Sequence, residues 1–215
     1  MARSPLRRRD LLRSVLGSGA IALFGGTRAR AAASHASWTH FRHDVGNTGY
    51  APDHAGPIRG LVKRDQISRS TNTEDGVATA PTIKDGIIYV GIGQQILAIE
   101  KSDFSVKWEV TKGRVIGCCP VVNGSVIVAT ARGKIYSLDA SDGTEEWVHE
   151  TVRQPRIAPT ATEDAVYVAT VADKVYSISM RSGEENWRFD VSFDGLPPVG
   201  PPAVDDTNLY FTTGG

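Results

Sequence analysis

The chain has 215 residues, 40% of them hydrophobic and 22% charged, a balance that supports a packed soluble core. Lys plus Arg and Asp plus Glu both total 24, so the formal net charge is zero. Nothing in that overall balance asks for nucleic acid or an anionic surface as partner.

The charge is uneven along the chain. Seven arginines fall in the first 30 residues, where Ser4-Pro5-Leu6-Arg7-Arg8-Arg9-Asp10-Leu11-Leu12-Arg13 precedes a Gly-diluted apolar run from Val15 to Gly26. Arg28-Ala29-Arg30-Ala31-Ala32-Ala33 follows. A basic start, a short apolar stretch and small residues at a cleavage site describe an export signal over residues 1–33, cut after Ala31 or Ala33. The apolar run is well short of the ~20 residues that span a bilayer, so no membrane span is expected in the mature chain. An amphipathic N-terminal helix or a mitochondrial presequence is the alternative. Arg8-Arg9-Asp10-Leu11-Leu12-Arg13 resembles the twin-arginine motif, with Arg8 and Arg9 as the pair, which implies folding before export.

Residues 34–60 form a Gly- and Pro-containing lead-in arm. His35, His40, His43 and His54 gather there with Asp44, and His40-x-x-His43 offers two metal ligands without a third at a convincing spacing. A solvated arm is the expectation, with no metal. Leu61-Val62-Lys63-Arg64-Asp65-Gln66-Ile67 lines up with the strand Ser105–Val110.

A repeat of about forty residues then takes over. Pro81 opens a unit that passes through Ile87-Ile88-Tyr89-Val90 and Ile96-Leu97-Ala98-Ile99 to Trp108. Pro120 opens the next, 39 residues on, and ends it at Trp147; Pro159 opens the third, which ends at Trp187. Pro202 opens a fourth that reaches Leu209-Tyr210-Phe211. Each unit holds four short runs rich in Val, Ile and Tyr, bounded by Lys84-Asp85-Gly86, Asn123-Gly124, Arg132-Gly133, Asp142-Gly143 or Ser182-Gly183. Asn-Gly and Asp-Gly supply the positive φ angles of tight hairpins. No helical period appears after residue 35. Four antiparallel strands per repeat, with one aromatic at a fixed offset, predict an all-β chain: a β-propeller of four-stranded blades. The blades fall at about 77–110, 116–149 and 155–190 with a partial one at 199–215. About three and a half blades make an incomplete ring, and a fragment of a longer chain or self-association through open blade edges is expected. An irregular β-sandwich is the competing architecture.

Leu138-Asp139-Ala140-Ser141-Asp142-Gly143-Thr144-Glu145-Glu146-Trp147 resembles the PQQ-type propeller repeat of quinoprotein dehydrogenases and of non-enzymatic propellers related to the outer-membrane assembly lipoprotein BamB. Ser182-Gly183-Glu184-Glu185-Asn186-Trp187 matches its second half, and the copy ending at Trp108 has Phe104 where Gly belongs. The resemblance covers residues 61–215. Ser37-Trp38-Thr39-His40-Phe41-Arg42 and Asn47-Thr48-Gly49 also resemble the lead-in of exported propellers of this type. The resemblance implies that Trp108, Trp147 and Trp187 pack between blades, and that Asp139, Gly143 and Gly183 are structural repeat positions.

Cys118 and Cys119, the only cysteines, raise the question of a cofactor. In quinoprotein dehydrogenases a vicinal disulfide lies against PQQ. Here the pair aligns with Thr79-Ala80 and Ile157-Ala158, directly before the strand-opening Pro, a site that accepts small or medium residues and where Cys acts as a small hydrophobe. Adjacent Cα atoms at 3.80 Å also strain a bridge that prefers about 4.4–6.8 Å. Passive small residues are therefore expected, with a vicinal disulfide or a redox or metal role as alternatives. Calcium at Asp139, Asp142, Glu145 and Glu146 is a weak alternative, and Asp205-Asp206 reads as a turn. The reading is an exported, non-catalytic module that binds or scaffolds a protein or polymer in the cell envelope or outside the cell, without nucleic acid and without a cofactor. The alternative is a fragment of a dehydrogenase using PQQ and calcium.

Overall fold

The computed structural model describes Thr39, residues 78–191 and residues 198–212. The chain divides into two units, Met1–Ser34 and His35–Gly215, and everything described belongs to the second. The expected export signal, the lead-in apart from Thr39, and Leu61–Ile67 lie outside the described residues.

The described residues form strands and turns, with no helix among them. The first sheet is β1 (Thr82–Lys84), β2 (Ile87–Ile92), β3 (Gln95–Glu100) and β4 (Val106–Thr111). The second is β5 (Val121–Val122), β6 (Ser125–Ala129), β7 (Lys134–Asp139) and β8 (Glu145–Glu150). The third is β9 (Thr160–Ala161), β10 (Ala165–Ala169), β11 (Lys174–Ser179) and β12 (Glu185–Asp190). A hairpin of β13 (Ala203–Val204) and β14 (Leu209–Tyr210) follows. Every pairing is antiparallel and joins strands consecutive in sequence, so each sheet is a simple meander. Asp85-Gly86 and Asn123-Gly124 have positive φ throughout and close two-residue hairpins with Lys84 opposite Ile87 and Val122 opposite Ser125.

Strand alternation decides how the sheets stack, because neighbouring residues point to opposite faces. On the second sheet Val126, Val128, Tyr136 and Leu138 share one cluster with Ile96, Ala98 and Trp108 of the first. Their neighbours Ile127, Ala129 and Ile135, with Trp147, share another with Val166, Val168, Tyr176 and Ile178 of the third. A middle sheet thus buries both faces, one against each neighbour. At about 1.5–3 kcal/mol per large apolar side chain buried, neither face can be left to water. Sequential four-stranded meanders stacked in this way are the blades of a β-propeller.

One irregularity recurs. The ladder slips by one residue before each Trp: Ala98 faces Trp108 while Ile99 faces Val106, and the same shift falls at Ser137/Leu138 and Ser177/Ile178. The extra residue is Lys107, Glu146 or Asn186. Ser137 Oγ donates to Glu146 Oε2 at 2.6 Å, and Asn186 Nδ2 donates to Ser177 Oγ at 3.3 Å. A bulge bends and twists its strand locally, and here it falls where the fourth strand delivers its indole to the neighbouring blade.

Candidate functional site

Three groups of residues bear on function: the seams between blades, the paired cysteines, and the two ends of the blades where the turns lie.

At the first seam, Trp108 Nε1 donates to the Ala140 carbonyl at 3.0 Å, and at the second Trp147 Nε1 donates to the Met180 carbonyl at 2.9 Å. Both indoles are only 8% exposed. Each lies against a glycine of the next blade, Gly143 or Gly183. A Cβ at Gly143 would stand 2.8 Å from Trp108 and one at Gly183 would stand 2.7 Å from Trp147. Both glycines also have φ above +70°, so a side chain there meets both a steric and a backbone penalty. Trp187 differs. It is 43% exposed, rests against the Tyr167 ring at 6.2 Å, and borders an apolar hollow of about 340 Å³ with Val175, Phe189, Val191, Leu209 and Phe211. No glycine seat for it occurs among the described residues. His149, which the sequence did not single out, contributes Nδ1 to the Gly183 carbonyl at 3.0 Å and places Nε2 in the seam without a partner.

Cys118 and Cys119 are two separate, buried thiols. Cys119 belongs to the apolar cluster of the first seam, and its carbonyl accepts the Thr82 hydroxyl at 2.7 Å. Burial pushes the Cys119 thiol well up, with the neighbouring Cys118 adding to it, the reverse of a reactive thiolate. A pair this deeply enclosed presents no face to a quinone ring, so the residues present do not fit the PQQ arrangement. Among the described residues no three His, Cys, Asp or Glu side chains are grouped to hold a metal ion. His35, His40, His43, His54 and Asp44 lie outside the described residues.

The meander puts the β1–β2 and β3–β4 turns of each blade at one end. The β2–β3 turn and the connection to the next blade lie at the other. Backbone bonds tie the turns of the first end together: Lys101 to the Gly86 carbonyl, Ala140 to Gly124, and Met180 to Asp164, all at 2.8–2.9 Å. Acidic residues crowd this end, and turn chemistry explains many of them. Asp103 accepts the Ser105 N–H and hydroxyl, Asp142 accepts those of Thr144, and Asp205 accepts the N–H groups of Thr207 and Asn208. Such side-chain bonds to the backbone two or three residues on replace a missing turn bond. They also hold the carboxyls of Asp103 and Asp205 below the usual range, as hydrogen bonds from Ser141 do for Asp139. A groove of about 600 Å³ opens at this end between the second and third blades, bordered by Asn123, Glu146, Glu163, Asp164 and Arg181.

The other end is basic. Arg114 lies in the connection between the first and second blades, Arg132 in the β6–β7 turn, and Arg153 and Arg156 in the connection between the second and third. All four are exposed, and none of the four guanidinium groups has an ion pair or hydrogen bond among the described residues. The lysines nearby are used differently: Lys112 pairs with Glu145 at 2.6 Å, Lys134 with Glu150 at 3.0 Å, and Lys174 with Asp190.

These features define a propeller of short, shallow-turned blades. A family model described as outer membrane protein assembly factor BamB matches residues 59–155 and 111–215, and the chain belongs to that family. A curated relative, the serine/threonine-protein kinase AfsK of Streptomyces griseus, is 32% identical over 82 residues, 35% of this chain and 10% of the kinase. Among solved structures, BamB from Moraxella catarrhalis has a TM-score of 0.51 at 19% identity, over 60% of this chain and 44% of its own. Quinohemoprotein alcohol dehydrogenases from Comamonas testosteroni and Pseudomonas putida HK5 score 0.53 and 0.57 at 20% and 21% identity, over 74% and 72% of this chain and 28% and 26% of theirs. The chain therefore spans about a tenth of the kinase and less than half of each of these structures. At such identities the structures share the fold, and function rests on the site.

Proposed function

We propose that this chain is an exported, non-catalytic propeller that binds or scaffolds a partner protein in the cell envelope. One observation carries the reading. Cys119 and the Trp108 and Trp147 indoles are committed to the seams and Cys118 is buried, while charge stands on exposed turns at the two ends of the blades. Rigid blades that present sorted charge on short loops suit recognition better than chemistry. The family description, an assembly factor for outer-membrane proteins, and the protein-kinase relative agree with a role among other proteins.

The test is to recover the chain from its host, fractionate the envelope, and incubate the purified protein with PQQ and Ca²⁺. The reading expects an exported protein with no retained quinone chromophore. A stoichiometric chromophore with dye-linked alcohol or sugar oxidation overturns it.

A further inference from the structure

The side chains of four exposed arginines make no ion pair or hydrogen bond among the described residues, and they share one end of two neighbouring blades. We propose that Arg114, Arg132, Arg153 and Arg156 form the docking surface for an acidic, carboxylate-rich segment of a partner protein. The proposal rests on the binding reading above and names the surface and the chemistry of the partner.

The backbone organises this end. The Ala131 N–H donates to the Arg114 carbonyl at 2.8 Å, which ties the first connection to the turn that carries Arg132. The next tie runs from the Thr151 N–H to the Gly133 carbonyl at 2.8 Å, reinforced by the Thr151 hydroxyl at 2.9 Å. That hydroxyl is also 2.6 Å from the Arg153 carbonyl, and the Arg156 N–H bonds the Ala169 carbonyl at 2.9 Å. Three loops from adjacent blades are laced into one surface, so little ordering remains to be done when a partner arrives.

The chemistry follows from the residue type. A guanidinium is always charged and presents a planar fork that meets a carboxylate through two parallel hydrogen bonds. Lys112, Lys134 and Lys174 are held by Glu145, Glu150 and Asp190, whereas the four guanidinium groups have no ion pair among the described residues. Val152, 58% exposed, stands directly before Arg153, and its N–H is fixed by the Tyr176 hydroxyl at 3.1 Å. Arginine is among the residues enriched at protein interfaces relative to the rest of the surface. A nucleic-acid backbone instead favours a continuous basic track with stacking rings. The acidic turns at the opposite end repel an acidic partner and orient its approach.

The probe is a fluorescein-labelled oligo-glutamate peptide titrated against the full chain at low and at high salt. Saturable binding is expected, weakened by salt and weakened about tenfold or more in R132E/R153E. E163K/D164K, which changes net charge in the opposite direction at the far end, should stay within about twofold if the arginines are the contact. The folded state of both variants is checked by urea titration. No binding to the wild type, or equal binding to wild type and R132E/R153E, overturns the proposal. Stronger binding to single-stranded DNA of equal charge or to anionic phospholipid vesicles overturns the assignment to protein carboxylates. Loss of oligo-glutamate binding leaves the non-catalytic reading intact, and a bound quinone would sink that reading whatever the peptide does.

Discussion

The two ends of the blades are built from the same strands and do opposite work. At one end Asp103, Asp142 and Asp205 accept backbone N–H groups of their own turns, so acidity there is partly a by-product of closing hairpins. At the other, the guanidinium groups of Arg114, Arg132, Arg153 and Arg156 close no turn among the described residues. Charge that the fold uses and charge that the fold leaves free can be told apart by what each group bonds. The balanced total of 24 and 24 hides both.

The seams supply the yardstick for this contrast. Trp147→Ala empties the second seam and should cost about 3–5 kcal/mol in urea unfolding. Trp187→Ala, on an indole already 43% exposed, should cost less than half as much. Equal losses would mean that Trp187 is enclosed as Trp147 is.

Next in size is the turn chemistry of the acidic end. Asp142→Ala removes two bonds, to the Thr144 N–H and hydroxyl, and should cost about 1 kcal/mol. A neutral result would make that carboxylate as dispensable to the fold as the arginines. The same end sets a pH dependence through Tyr89, whose hydroxyl donates to the Ala140 carbonyl at 3.2 Å. Burial first, then the charges of Asp85, Glu100 and Asp139, push its pKa up to about 12. The folded chain keeps a proton that an unfolded tyrosine releases near pH 10, so this stabilisation is whole below pH 10 and is lost as pH rises toward 12. Tyr89→Phe should lower stability slightly at neutral pH and flatten the decline between pH 10 and 12. An unchanged slope contradicts the assignment.

The smallest effect belongs to the basic end. Arg132→Ala and Arg153→Ala should each stay within about 0.5 kcal/mol of wild type in the same titration. A loss near that of Asp142→Ala would return these arginines to the fold and remove the reason to look for a partner.

The fold was legible because its signals are local and periodic. Pro81, Pro120 and Pro159 stand 39 residues apart, and Asp85-Gly86 and Asn123-Gly124 announce hairpins that the structure contains. Two things were not legible. Trp187 shares the motif of Trp147, yet its enclosure depends on a seat from another segment, which no local pattern reports. The arginines are scattered through residues 114–156 and cancel in the charge sum. Only the meander, by sending alternate connections to opposite ends, brings them together. Sorting the charged residues by connection along the repeat would have found them before any coordinates were known.

The most direct measurement is hydrogen exchange on the full chain with and without the oligo-glutamate peptide. Slower exchange confined to residues 112–118, 130–134 and 151–157, with the turns at 139–144 and 162–165 unchanged, is the predicted result. Protection at those acid-end turns, or none that distinguishes the two ends, would contradict the claim that the basic end of the blades is where this propeller meets its partner.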